Sequence, residues 1–109
     1  MNKINPFDEF EFIRNNARAY AQAKADVIYM TEYRKSIKAE LMNDCDSKTQ
    51  SASEAYAYAH PKYKTHLEAL KQSVARFEEL RWGMVSAEAK IEVWRSLEAS
   101  SRMEGRASQ

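Results

Sequence analysis

Aromatic and basic side chains gather in the middle of this sequence in a mixture suited to holding a nucleic-acid strand. Tyr33, Arg34, Lys35 and Lys38 come first; Lys62, Tyr63, Lys64, His66 and Lys71 follow, with Tyr56 and Tyr58 between. Cations track phosphates and exposed tyrosine rings stack on bases, which is the chemistry of single-strand binding. Acids dilute the signal: residues 31–71 hold seven basic and six acidic side chains, Glu32, Glu40 and Glu54 among the latter. The nucleic-acid set is therefore Tyr33, Arg34, Lys35, Lys38, Lys62 and Lys64, and it ranks second to a protein-directed reading.

The protein-directed set lies later in the chain. Arg81, Glu88 and Arg95 stand seven residues apart, and Trp94, Arg95 and Arg102 carry the pattern toward the C-terminus. Charges beside an apolar helix seam fix register and partner choice. Tryptophan and arginine also dominate binding hot spots. Trp82, Trp94 and Arg95 are the expected anchors, with Arg81, Glu88 and Arg102 around them.

Other chemistries find little to work with. Asp44-Cys45-Asp46 opens like a calcium loop, but the fifth position is Lys48, the sixth is Thr49 instead of glycine, and the twelfth is Ala55. His60 and His66 fall on different helix faces, and Cys45 adds no second zinc-ligand spacing. Two glycines leave little means to build a phosphate loop or a tight catalytic turn. No enzymatic activity, metal centre or cofactor is expected.

The elements that must position these residues are long helices. Tyr63, Leu67, Leu70, Val74, Phe77, Leu80, Met84, Ala87, Ile91 and Trp94 recur in steps of three and four, the spacing of one helix face. With Pro61 in its first turn, this helix is predicted over about residues 61–104, with a frayed tail from Ser100. A first helix over about residues 6–43 starts at Pro6 behind an Asn5 cap, with Asp8, Glu9 and Glu11 near its start. Its stripe is Phe10, Ile13, Ala17, Tyr20, Ala23, Val27, Met30, Ile37 and Leu41, interrupted at Arg34. A loop over about residues 43–52 and a short helix over about 53–59, opened by the capping box Ser51-Ala52-Ser53-Glu54, complete the chain.

Folding the two rods back on each other predicts an all-α fold, a single coiled-coil-like antiparallel helical hairpin over residues 1–109. The expected pairs are Leu41 with Tyr63, Ile37 with Leu67, Val27 with Phe77, Tyr20 with Met84, and Phe10 with Trp94. Gly83 then falls opposite the alanine-rich stretch from Ala17 to Ala25, where close approach would repay a mid-helix glycine. Aromatics beside the seams, Phe12, Tyr29, Tyr33 and Trp82, call for a further partner. A homo-oligomer is expected, most simply a dimer forming a helical bundle.

Charge is balanced, 17 basic residues against 16 acidic, so no global field favours nucleic acid or membrane. A lone cysteine suits a reducing compartment. No secretory leader is expected, since Met1 to Phe12 carries acids where such a leader carries basic residues, and the apolar runs are too short for a membrane span. These readings predict a soluble cytoplasmic protein.

The C-terminal half also resembles a group of small helical proteins of tailed bacteriophages. The resemblance rests on Ala55-Tyr56-Ala57-Tyr58-Ala59, Tyr63, His66-Leu67, Glu79-Leu80-Arg81, and Ile91-Glu92-Val93-Trp94-Arg95-Ser96 with Arg102. Proteins of that group are often encoded among early or recombination genes. It implies a phage protein at work in the infected bacterial cell, as an adaptor or inhibitor of a host or phage protein of DNA processing or defence. It transfers no catalytic residue. A single-stranded-DNA-binding recombination accessory is the alternative, and a structural bundle or spacer is the third.

Overall fold

Asn5 sets the first helix going. Its Oδ1 accepts the Phe7 amide N–H at 3.0 Å, and its carbonyl accepts that of Asp8 at 3.1 Å. Pro6, which has no N–H to satisfy, takes the first helical position, and Asp8 and Glu9 face the positive end of the helix dipole. The computed structural model describes residues 3–107. Its elements are α1 (Pro6–Asp44), α2 (Gln50–Ala59) and α3 (Pro61–Ala107), with no strand among the described residues. The fold is all-α, a long helical hairpin with a short helix in its connection.

The connection is tighter than the sequence pattern suggests. Non-helical residues run only from Cys45 to Thr49. Thr49 is the N-cap of α2, accepting from the Ala52 N–H at 3.3 Å, so the expected box at Ser51 is not used. Starting a turn earlier brings Ser53 and Ala57, four residues apart, onto the buried face, with the Ser53 hydroxyl donating to the Gln50 carbonyl at 3.0 Å. His60 then serves two helices. Its N–H donates to the Ala57 carbonyl at 3.2 Å to close α2. Its carbonyl accepts from Tyr63 and Lys64, and its Nδ1 accepts the Lys62 N–H at 3.0 Å, capping α3. At the other end α3 stays helical to Ala107, past the expected fraying at Ser100. Leu97, Glu98, Arg102, Met103 and Glu104 are strong helix formers, and Gly105 is the first breaker after Gly83. Ser108 and Gln109 lie outside the described residues.

The seam positions follow a stricter rule than the expected stripes. Along α1, buried or half-buried residues alternate in threes and fours without a break: Pro6, Glu9, Ile13, Asn16, Tyr20, Ala23, Val27, Met30, Arg34, Ile37, Leu41. Along α3 the series is Tyr63, His66, Leu70, Ser73, Phe77, Leu80, Met84, Ala87, Ile91, Trp94. Both are heptad patterns. Arg34 therefore does not interrupt the stripe; it occupies it. Phe10, Ala17, Leu67 and Val74, which belonged to the expected stripes, are exposed, and Glu9, Asn16, His66 and Ser73 take the inward positions instead. Steps of four in succession drift around the helix, whereas alternating steps hold one line.

Two compact units divide the chain. The connecting unit runs from Ala21 to Glu78; the terminal unit combines the residues up to Tyr20 with those from Glu79 onward. In the connecting unit, Ile37, Leu41, Ala57 and Tyr63 form the core, with Met42 packed on it. Leu41 meets Tyr63's cluster as expected, but Ile37 belongs to that same cluster instead of pairing with Leu67. The space beside them is taken by Ala57 of α2, a contact that the hairpin pairing did not include. Farther along, the His66 imidazole lies 2.7 Å from the Met30 carbonyl, and as the Nε2–H tautomer it donates there.

In the terminal unit Ala87 is buried, and Glu9 and Lys90 form an ion pair at 3.6 Å. Gly83 faces Phe12, not the alanine-rich stretch, a slip of roughly two helical turns from the expected register. A Cβ on Gly83 would come within 2.9 Å of Phe12 Cζ, so the glycine makes room for a ring.

Two outcomes follow for stability. Gly83→Ala alone gains little, because the helix-propensity gain of about 1 kcal/mol is offset by displacement of the Phe12 ring. The same change made beside Phe12→Ala delivers the full ~1 kcal/mol, a coupling that denaturant unfolding reads directly. At the shared cap, His60→Ala costs about 1 kcal/mol while His60→Asn, which keeps an acceptor, retains most of the stability.

Candidate functional site

The connecting unit holds a concavity of about 340 Å³ lined by Arg34, Lys35, Lys38, Tyr58 and Tyr63. Helical spacing on α1 delivers the cations: Lys35 is next to Arg34, and Lys38 is one turn on. Residues from α2 and α3 deliver the rings. Tyr63 is 8% exposed and anchored in the core; Tyr58 is 46% exposed and meets it edge-on, with centroids 5.2 Å apart.

Lys38 is fixed from two sides. Its Nζ stands 4.8 Å from the Tyr58 ring centroid and 3.7 Å from the Glu54 carboxylate. Hydrogen bonding with the Tyr58 side chain, and after it the Glu54 charge, raises its pKa above the ordinary 10.5. The ammonium is thus charged throughout the neutral range. Lys35 pairs with Glu32 at 3.2 Å, but both groups are largely in solvent, where such a pair is weak.

Arg34 differs from both. It occupies a half-buried seam position and forms no ion pair or side-chain hydrogen bond with any described residue. The other ionisable seam residues, Glu9 and His66, have partners at Lys90 and Met30. Asn16 donates to the Phe12 carbonyl at 2.8 Å. Arg34 is therefore the seam cation left facing an open concavity.

Three of the six residues of the nucleic-acid set meet at this place. Lys62 and Lys64 are exposed outside the lining, and Tyr33 stacks on Tyr29 at 5.8 Å and leans on His66. Tyr58 and Tyr63 belong to the site although neither stood in that set. Their separation, five residues across a helix boundary, gives no face pattern by which to join them to Arg34.

The terminal unit presents a different surface. Trp82, Val85, Ala89 and Val93 lie along the side of α3 that points away from the seam, and Leu97 flanks the seam beside Trp94. Trp82 is 58% exposed, Val93 48% and Leu97 60%. The Arg81 guanidinium lies 4.6 Å from the Trp82 ring. Beside this strip is an open groove of about 630 Å³ lined by Lys3, Ile4, Val93, Trp94, Leu97, Glu98 and Ser101. Trp94 is a seam residue with one side in the groove, Arg95 pairs with Glu92 of its own helix at 2.8 Å, and Glu88 and Arg102 are exposed. The sequence pattern missed Val85, Ala89 and Val93. Their spacing was readable, but the stronger stripe on the other face had already claimed the helix.

No family model, curated protein or solved structure matches the chain. No described helix is long and apolar enough to cross a membrane. Among the described residues no cluster of His, Cys, Asp and Glu is placed to hold a metal ion.

Arg34→Leu completes the apolar seam and is expected to raise the unfolding free energy by about 1 kcal/mol, part of the value of burying a leucine. Urea titration checks it. A loss of stability would mean that the guanidinium stem already packs there as well as leucine does.

Proposed function

We propose that this protein is a non-enzymatic interaction protein that docks a partner on the outward face of α3 in its terminal unit. The observation that carries the reading is the apolar strip Trp82, Val85, Ala89 and Val93, exposed on a face turned away from the seam. Large exposed apolar strips mark interaction surfaces. The spacing of three and four along one helix suits a single amphipathic helix as occupant, with its own apolar side chains set between these. Arg81 and Glu92 border the strip, so the partner helix is expected to carry mixed charge at its edges. The resemblance to phage proteins makes helical segments of DNA-processing or defence proteins the first partners to try.

Trp82 is the expected anchor, with Trp94 and Leu97 in the adjoining groove. Trp82→Ala should weaken partner binding by about 2 kcal/mol, roughly 30-fold, while shifting unfolding by less than about 0.5 kcal/mol. Sedimentation and photo-crosslinking separate the outcomes. A crosslinker at residue 82 should join one defined partner, and the same group at Arg76 should not. Self-adducts, with a dimer mass that Trp82→Glu reduces to a monomer, would replace the partner by a second copy. An unchanged monomer mass with no specific adduct would reject the surface altogether.

A further inference from the structure

The concavity of the connecting unit points to a second function, independent of the partner face. We infer that Arg34, Lys35, Lys38, Tyr58 and Tyr63 form a binding site for a nucleotide unit, with the phosphate on the cations and the base against Tyr58. Arg34 supplies the planar cation of the site. A half-buried guanidinium at an apolar seam position costs stability, and here no carboxylate of the described residues offsets that cost. Its planar fork matches a phosphate with two parallel hydrogen bonds. Lys35 and Lys38 add charge at the same concavity, and Lys38 is held in place by Tyr58 and Glu54.

The two rings complete the site. Tyr63 is locked in the core and supports Tyr58 edge-on, and Lys38 covers one face of the Tyr58 ring, so the face left open is a braced platform and not a loose side chain. Base-on-aromatic stacking needs such a platform. The volume, about 340 Å³, is at the small end of ligand sites, which run from about 300 to 1,000 Å³. It has room for one nucleotide and none for a duplex. A carboxylate ligand would use the cations and leave the ring unused, whereas a nucleotide uses both.

A free nucleotide and a nucleotide within a single strand share this chemistry, and the experiment tells them apart. The full-length protein is titrated with thymidine 5′-monophosphate by calorimetry, and with a labelled oligothymidylate and its duplex by anisotropy. For the single strand, the one phosphate held at the site predicts an affinity loss of about threefold between 50 and 200 mM salt. Arg34→Leu and Lys35→Gln should each weaken binding at least tenfold with circular dichroism unchanged. Lys35 lies on the exposed rim, so its variant reports on binding even if the seam variant misfolds. Lys62→Ala/Lys64→Ala removes as much or more charge outside the lining and should change binding less than threefold.

Binding of the strand but not of the mononucleotide assigns the site to single-stranded nucleic acid; binding of the mononucleotide, lost in the Arg34 and Lys35 variants and without saturable binding of the strand, assigns it to free nucleotide. Either outcome supports the site. Absence of saturable binding to both probes would overturn it. So would duplex binding as tight as the strand's, or equal losses from the Lys62/Lys64 and Arg34 variants, since both describe diffuse surface charge.

Discussion

A single seam between two helices governs what every other residue of this protein is free to do. In a larger bundle each helix buries a broad face against several neighbours. Here the buried hydrophobic side chains among the described residues are Ala23, Ile37, Leu41, Ala57, Tyr63 and Ala87. Three are alanines, and a two-helix seam has little room for more. Larger seam residues such as Phe77, Met84, Ile91 and Trp94 keep one side open. The outward aromatics are a consequence of this geometry, since a seam one side chain wide cannot take in Trp82 or Tyr29 without turning something else out.

The polar residues within that seam set its register. An apolar seam alone tolerates sliding by a heptad, whereas a polar group must meet its own partner. Glu9 meets Lys90 in the terminal unit, and His66 meets the Met30 carbonyl in the connecting unit. Phe12 over Gly83 adds a steric key of the same kind. Each unit thus carries its own pin. Arg34 pins nothing, and this separates it from the rest: the same position that weakens the seam opens onto the cations and rings of α1, α2 and α3.

Much of the fold was legible because helix punctuation is local. Asn5-Pro6 and His60-Pro61 mark the starts of both long helices, and the scarcity of glycine leaves no alternative to helix. The stripes were legible to within one residue, and the errors share a cause. Where an apolar and a polar residue stood side by side, as at His66-Leu67 and Ser73-Val74, hydropathy favoured the apolar one and the heptad phase chose the polar one. Register was not legible, because Ala57 enters the core from a third helix and hydropathy along two rods cannot register that contact. The basic site was half legible. Arg34, Lys35 and Lys38 are neighbours in sequence, but Tyr58 and Tyr63 join them only through the path of the connection.

The two joints of that path differ in kind. Five residues, Cys45 to Thr49, link α1 to α2, and only one, His60, links α2 to α3. A five-residue loop absorbs an added residue by bulging outward. The single-residue joint has no slack, because both its hydrogen-bonding ends are already committed to helices. One residue inserted there would separate the hydrogen bonds by which His60 joins the two helices, and α2 would shift against α1. Ala57 would leave Leu41, and Tyr58 would leave Lys38. Natural variation in length is therefore expected at residues 45–49 and excluded at 60, so the connection tolerates added residues on one side and none on the other.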